Sequence, residues 1–336
     1  MNLPLFNSAS FRGGFVPRGS AAPDNLLARV DFGLGLERGG DPRRVSVGIA
    51  SLAAPHWSEQ WVSTLPVQHG WDQGFGYSHN GEVLFGSIYL PEDELLDMNA
   101  AMLRTYSGLE QLLQRQGYPH CLRIWNFISG INVGDGDDER YRQFSIGRAR
   151  ALALKPDFEK QLPAATAIGM VEPGMVIYFL AGKAPGTPVE NPRQVSAYQY
   201  PRQYGPQSPS FSRATLIGTG DDSRLLVSGT ASVVGHATAH PDDPLRQLDE
   251  TLANLDAVLG NAMQRHFAGT AAVAQLESVK LYLRDTRYLD RVTPHFARLQ
   301  GPHNAPLMCL HGDICRHDLI LEAEAVFRIT RNPKNE

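Results

Sequence analysis

The chain has 336 residues, 42% of them hydrophobic and 20% charged, with a formal net charge of −4. That composition describes an ordinary water-soluble protein long enough for about two domains. It excludes the basic footprint of a nucleic-acid-binding protein, and no apolar run nears the roughly 20 residues of a membrane helix. The opening MNLPLFNSASFRGG has no apolar core of the signal-peptide kind. Cys121, Cys309 and Cys315 are odd in number and lack metal-type spacing, which points to a reducing cytoplasm.

Residues 1–42, rich in Gly, Pro and Arg, read as an irregular arm. A strand is expected over 44–52, a loop over the glycine- and aromatic-rich 65–80, and a strand over 82–90. Leu95, Met98, Met102, Tyr106, Leu109 and Leu113 recur at three-and-four spacing, which predicts a helix over 93–116 ending at Gly117. A strand follows at 120–131, a helix at 137–154, and two strands at 164–169 and 175–181. The stretch from Lys183 to Ser210 holds six prolines and reads as a boundary loop. A plain linker has little use for Tyr198, Tyr200, Arg202 and Tyr204, however.

The second half repeats the first. A strand over 224–233 leads to a helix carrying Leu248, Leu252, Leu255, Leu259 and Met263, opened by Asp243-Pro244. Then come a strand at 279–283, a helix at 288–299, and strands at 306–312 and 319–327. The order strand, helix, strand, helix, strand, strand in both halves predicts a duplicated α+β unit, a mixed sheet with helices on one face. The domains are expected at 43–185 and 186–336, each sheet's open face covered by the sister domain or another subunit.

Alternation along the last strand places Glu322 and Glu324 on one face with Ile320 and Val326. Either the acids lie on a wet edge, or burial and mutual repulsion keep one neutral as a proton donor. The first copy reads VIYFLAGK where the second reads LILEAEAV, so the sheet does not need the acids to fold. Other clusters are weaker. Pro241 argues against a helical metal site from His236, His240, Asp242 and Asp243. Cys315 between His311 and His317 lacks a clear orienting acid. The glycines of 33–40 match no phosphate loop.

The SGTAS turn at 228–232, the VKLYLRD strand and the EAEA ending resemble the small YjgF-like (Rid) reactive-intermediate deaminases, which are trimers. Over nearly the whole chain, NPRQVSAYQYPRQYGPQSPSFSRA at 191–214, SGTASVVGH at 228–236 and GDICRHDLILEAE at 312–324 resemble the chorismatases, which carry two such domains. Within them the likeness is greatest to the branch that forms 3-hydroxybenzoate and also 4-hydroxybenzoate. The resemblance implies cleavage of chorismate to pyruvate and a ring product without cofactor or metal, in a monomer or a homotrimer. It implies Glu322 as general acid, with Glu324 as the fallback. Arg142, Arg202, Arg213 and Arg298 are the candidates to hold the two substrate carboxylates. Tyr198, Tyr200 and Tyr204 are expected at the substrate. Small residues after the SGT turn and before the acidic strand, here Ala231 and Cys315, are expected to set the product. Cys315 matches the hydroxybenzoate-forming branch and Ala231 the hydrolysing one. A chorismate hydrolase, an imine deaminase and a non-catalytic small-ligand binder are the alternatives.

Overall fold

The computed structural model describes residues 10–154, 158–218, 222–300 and 305–331. It corrects the expectation of an irregular arm from residue 11 onward. β1 (Phe11–Pro17), β2 (Leu26–Phe32), β3 (Arg44–Val47) and, after the short β4 (Ala50–Ser51), β5 (Trp57–Ser63) appear in turn. β1, β5, β2 and β3 form a four-stranded sheet in that order. The glycine content misled because Gly13 is a packing residue. A Cβ there would stand 2.8 Å from the Trp61 ring, so glycine lets the indole pack against the strand.

Residues 65–80 are likewise a hairpin and not a loop. β6 (Gln68–Asp72) and β7 (Phe75–His79) are joined by Gln73 and Gly74, at φ 49° and 84°. Positive φ at both central residues suits the strand twist, and a glycine there reads equally well as loop. β8 (Val83–Leu90), α1 (Met98–Gln116), β9 (His120–Ser129), α2 (Arg140–Leu152), β10 (Ala164–Met170) and β11 (Met175–Gly182) follow. Asp97 caps α1 by accepting the Ala100 N–H at 2.9 Å. Gly117 ends it at φ 77°, its N–H bonded to Gln114 O and that of Tyr118 to Leu113 O.

Next come β12 (Thr187–Val189), β13 (Ala214–Ile217), β14 (Asp222–Val227), β15 (Thr230–Ala231), β16 (Val233–Val234) and β17 (Ala237–Thr238). The expected single strand over 224–233 is thus broken at Ser228-Gly229. The chain ends with α3 (Pro244–His266), β18 (Ala272–Leu283), α4 (Leu289–Gln300), β19 (Leu307–His311), β20 (Asp313–Ile314) and β21 (Leu321–Arg331).

The internal repeat is visible in the sheets. One contains the run β10-β9-β11-β8 and the other β19-β18-β21-β14. In each, one pair is parallel (β9 with β10, β18 with β19) and the others antiparallel. The sheets also exchange edges: β20 pairs with β10, and β4 pairs with β19. Helices cover one face of each sheet. Leu109, Leu113, Phe144 and Phe179 share one core, and Leu248, Val258, Phe296 and Ala323 another. The inner faces share a third core, in which Phe127, Tyr178, Tyr282 and Leu310 meet Phe11, Val30 and Trp61 of the N-terminal sheet. Among the described residues no helix is long and apolar enough to cross a membrane.

One polar cluster crosses this apolar interior. Glu324 of β21 accepts from Arg123 Nη2 at 2.7 Å, Trp125 Nε1 at 2.9 Å, Thr166 Oγ1 at 2.5 Å and Lys280 Nζ at 2.6 Å. Lys280 also donates to Glu59 of β5 at 2.8 Å and to Tyr178 Oη at 3.1 Å. All of these side chains are buried. Removing one partner of such a buried pair leaves an uncompensated charge and costs about 3–5 kcal/mol. Lys280→Met, which takes from Glu59 and Glu324 the cation they share, is therefore expected to lose about that much stability in urea-induced unfolding. A loss below about 1 kcal/mol, the worth of an exposed pair, would show that the cluster is not holding the sheets together.

Candidate active site

A cavity of about 500 Å³ opens between α2 of the first half and β15 and β21 of the second. That volume suits a small organic ligand. Its floor is the break at Ser228-Gly229. Ser228 Oγ accepts from Ala165 N at 2.9 Å and donates to Ser212 O at 2.6 Å. Gly229 N donates to Thr166 Oγ1 at 3.0 Å, the hydroxyl that in turn donates to Glu324. Asn254 Nδ2 holds the carbonyls of Ala231 and Val233 from α3. Glycine at 229 is required, because a Cβ there would stand 1.9 Å from Glu322 Oε1.

Glu322 and Glu324 are both buried, at 5% and 4% exposure, which rules out the wet-edge reading. Their environments are opposite. Burial would raise Glu324, but Lys280 and Arg123 beside it hold its carboxyl below the usual carboxylate range. It does not line the cavity, so it is a structural anion and not a fallback acid. Glu322 lines the cavity, and among the described residues nothing hydrogen-bonds or ion-pairs with its carboxyl. Burial first, then the Glu324 charge, push it up to about 8. The site therefore holds a carboxylic acid that keeps its proton at neutral pH.

Of the expected residues, Arg142, Tyr200, Tyr204, Arg213, Ala231, Cys315 and Glu322 converge on this cavity. Ala231 stands opposite Glu322 in the β15–β21 register. Cys315 packs against two of the apolar cores at once. Burial, then Glu322, push its thiol up to about 12, so it is a neutral thiol and not a nucleophilic thiolate. Arg213 donates to Tyr200 Oη at 2.7 Å and to Val195 O at 2.8 Å, and its buried Nε has no partner among the described residues. Arg142 also lies near Asp137 and Glu139, at 3.6 and 3.5 Å.

Two expected residues do not line the cavity, and a third lies outside what is described. Arg202 points outward, its side chain 65% exposed and bound to Asp137 at 3.0 and 2.5 Å. The short helical turn at Arg202–Tyr204 aims Tyr204 inward and leaves Arg202 in solvent. Tyr198, in the preceding turn at Ala197–Gln199, is half-buried away from the cavity. Arg298 belongs to α4, and its side chain lies outside the described residues.

Among the lining residues, sequence reasoning missed Tyr141, Arg148 and Arg316. Tyr141 and Arg148 stand seven apart on α2, one face of the helix, a spacing that could have found them. Arg148 is 3% exposed, and among the described residues its Nε and Nη2 have no partner. A buried guanidinium with idle donors is costly unless a ligand completes it. Arg316 stacks on Tyr204 at 3.9 Å and on Tyr200 at 5.0 Å, while its Nη1 donates to His236 O at 2.8 Å. Tyr204 Oη is 3.2 Å from His236 Nδ1.

Residues 59–181 match the family model described as chorismatase FkbO/Hyg5-like, N-terminal. The chain is 35% identical over 291 residues to a 3-hydroxybenzoate synthase from Streptomyces hygroscopicus, covering 84% of each chain. It is 35% identical over 289 residues to a chorismatase from Streptomyces rapamycinicus, covering 84% of this chain and 86% of that one. A crystal structure of a chorismatase superposes with a TM-score of 0.84 at 31% identity, over 95% of this chain and 98% of the other.

The raised acid has a cost that can be measured. Below the ordinary Glu value of 4.5 the carboxyl is protonated in both folded and unfolded chains. As pH rises from 4.5 through about 8 the unfolded chain releases this proton and the folded one retains it, so stability falls across that window. Glu322→Gln is therefore expected to be little different from wild type at pH 5 and more stable than it at pH 9 in urea unfolding. Equal stabilities at both pH values would mean that Glu322 is not a protonated acid.

Proposed function

Because the chain belongs to the chorismatase family, and so is a chorismate-converting enzyme, we propose that it cleaves chorismate to pyruvate and hydroxybenzoate, mainly the 3-isomer with some 4-isomer. The observation that carries this reading is Glu322, an unpartnered buried acid on the floor of a cavity whose wall supplies buried arginines. Chorismate has two carboxylates. Arg148 and Arg213 have idle buried N–H donors to receive them, with Arg142 and Arg316 adding positive charge at the wall. Tyr200 and Tyr204 flank the ring, held in place by Arg213 and by His236. Arg202 and Tyr198 are left out of the binding set.

Glu322 donates its proton to the methylene carbon of the enolpyruvyl ether. The ether oxygen's lone pair then stabilises an oxocarbenium centre. The bond from the ring to that oxygen breaks, and its electrons complete the ketone of pyruvate. The oxygen of a neighbouring ring hydroxyl bonds to the ring cation as its proton leaves, return of that proton breaks the oxygen's original bond to the ring, and loss of a ring proton then restores aromaticity and re-protonates the acid. Atoms balance without water, since chorismate equals hydroxybenzoate plus pyruvate. Protonating carbon is slow, which is why a carboxyl held neutral at pH 7 suits the step.

Hydrolysis to a dihydroxycyclohexadiene acid is the second reading, favoured by the small Ala231 facing Glu322, which leaves room for a water. Cys315 favours the first: its neutral thiol, set among apolar residues, keeps water from the ring cation. The inner sheet faces are covered within one chain by the N-terminal sheet, which favours a monomer over a trimer.

Glu322→Gln is expected to retain less than about a tenth of wild-type pyruvate release while folding normally. In the wild type, kcat/KM should be flat at acidic pH and fall as pH rises through about 8, when the acid loses its proton. A Gln variant with substantial turnover would remove Glu322 from the mechanism. Chromatography of the products checks the outcome of the ring cation. Hydroxybenzoate should dominate in the wild type, and Cys315→Ala should raise the share of non-aromatic diol. A dominant diol from the wild type would favour the hydrolase reading, and an unchanged ratio in Cys315→Ala would clear the thiol of any role.

A further inference from the structure

The buried cluster contains two carboxylates and two cations, and the chemistry above touches none of them. Glu59 is the member with the least evident reason to be there. It comes from β5, in the N-terminal sheet that lies outside the repeat. It is 4% exposed and bonded to Lys280 Nζ at 2.8 Å and Tyr178 Oη at 3.0 Å. A sheet that only covered an apolar face would gain nothing by burying an acid in it.

The repeat explains the cations. Arg123 pairs with Leu180 across β9 and β11, and Lys280 pairs with Glu324 across β18 and β21. Only one of these two matching partners is an acid. The repeated halves alone therefore bury two cations against the single anion Glu324. That excess positive charge would sit close to Glu322, two residues along the same strand face, and would favour its carboxylate.

The groups facing Glu322 from the other elements make the balance matter. Tyr282 comes from β18, and Tyr141, Arg148 and Glu139 from α2 and its N-terminal end. Arg213 lies before β13, and Cys315, Arg316, His317 and Asp318 before β21. Arg142, Arg148, Arg213 and Arg316 outnumber Glu139 and Asp318, so the wall already leans toward ionising Glu322. Burial favours the acid form, and a cluster behind it with no net positive charge preserves that preference.

Resting on the reading of Glu322 as the proton donor, we propose that Glu59 is a positioning residue for the reaction, its carboxylate offsetting Lys280 so that the buried cluster is neutral and Glu322 keeps the proton it donates. Glu59 touches neither substrate nor cavity; it acts through Lys280 and Glu324. The N-terminal sheet then has an electrostatic role beyond covering the inner faces.

The test is the pH dependence of kcat/KM for pyruvate release in full-length variants. The wild-type alkaline limb is expected near pH 8. Glu59→Gln should move it down by about one pH unit or more, with activity at acidic pH close to wild type. Lys280→Met removes a cation and should move the limb up. The double variant Glu59→Gln/Lys280→Met restores neutrality and should bring the limb back toward wild type. Either single variant decides the matter if the other fails to fold. A limb that does not move, a uniform loss at every pH, or a double variant no closer to wild type would overturn the proposal. Glu322→Gln assayed alongside separates the two levels. If it is inactive while the limb stays put, only the role of Glu59 fails. If it is active, the assignment of the acid fails first.

Discussion

The structure depends on a buried ion cluster at the meeting of its sheets. Glu324 receives four donors there, from β9, β10 and β18, and Lys280 passes the connection on to β5. Hydrophobic burial would press these faces together in many registers, since apolar contact is non-directional. A carboxylate with four fixed partners accepts only one. The same contacts reach the reaction centre: Thr166 hands the order on from Glu324 to Gly229, and Gly229 leaves the space that Glu322 fills.

Two carboxyls on one strand face thus end in opposite states through their neighbours. Glu324 is surrounded by cations and is spent on structure. Among the described residues Glu322 has no partner, and it is held neutral by burial and by the charge of Glu324. The repeat underlies the difference: the two copies supply matching cations, and a single strand supplies both acids. The cavity lies between the copies, where neither alone could enclose it.

Much of this was legible in the sequence because periodicity and alternation are local signals. α1 and α3 announced themselves by apolar spacing and caps, and the repeat by element order. Alternation also found the Glu322 face. What failed was local chemistry with two meanings. Gly13 and Gly74 read as loop, yet one admits the Trp61 ring and the other completes a hairpin turn. Arg202 and Arg148 are the same residue type, and only tertiary placement sends one into solvent and the other into the cavity. Alternation offered the reading in which one of Glu322 and Glu324 stays neutral, but the groups that hold the other one charged were invisible, because Arg123, Lys280 and Glu59 are each distant in the chain.

That distance has a kinetic consequence. Arg123 and Glu324 are 201 residues apart, and Lys280 and Glu59 are 221 apart. Contacts with such separation form late, after the loop-closure entropy of the intervening chain has been overcome. During synthesis the N-terminal sheet and the whole first half emerge before β21 exists, with Arg123 and Glu59 still lacking the partners that neutralise them. An early, dry collapse of the inner faces is then unfavourable, because it would bury unpaired charge. Neutral pairing of the buried charges, on which a dry interior depends, is complete only once β21 supplies Glu324.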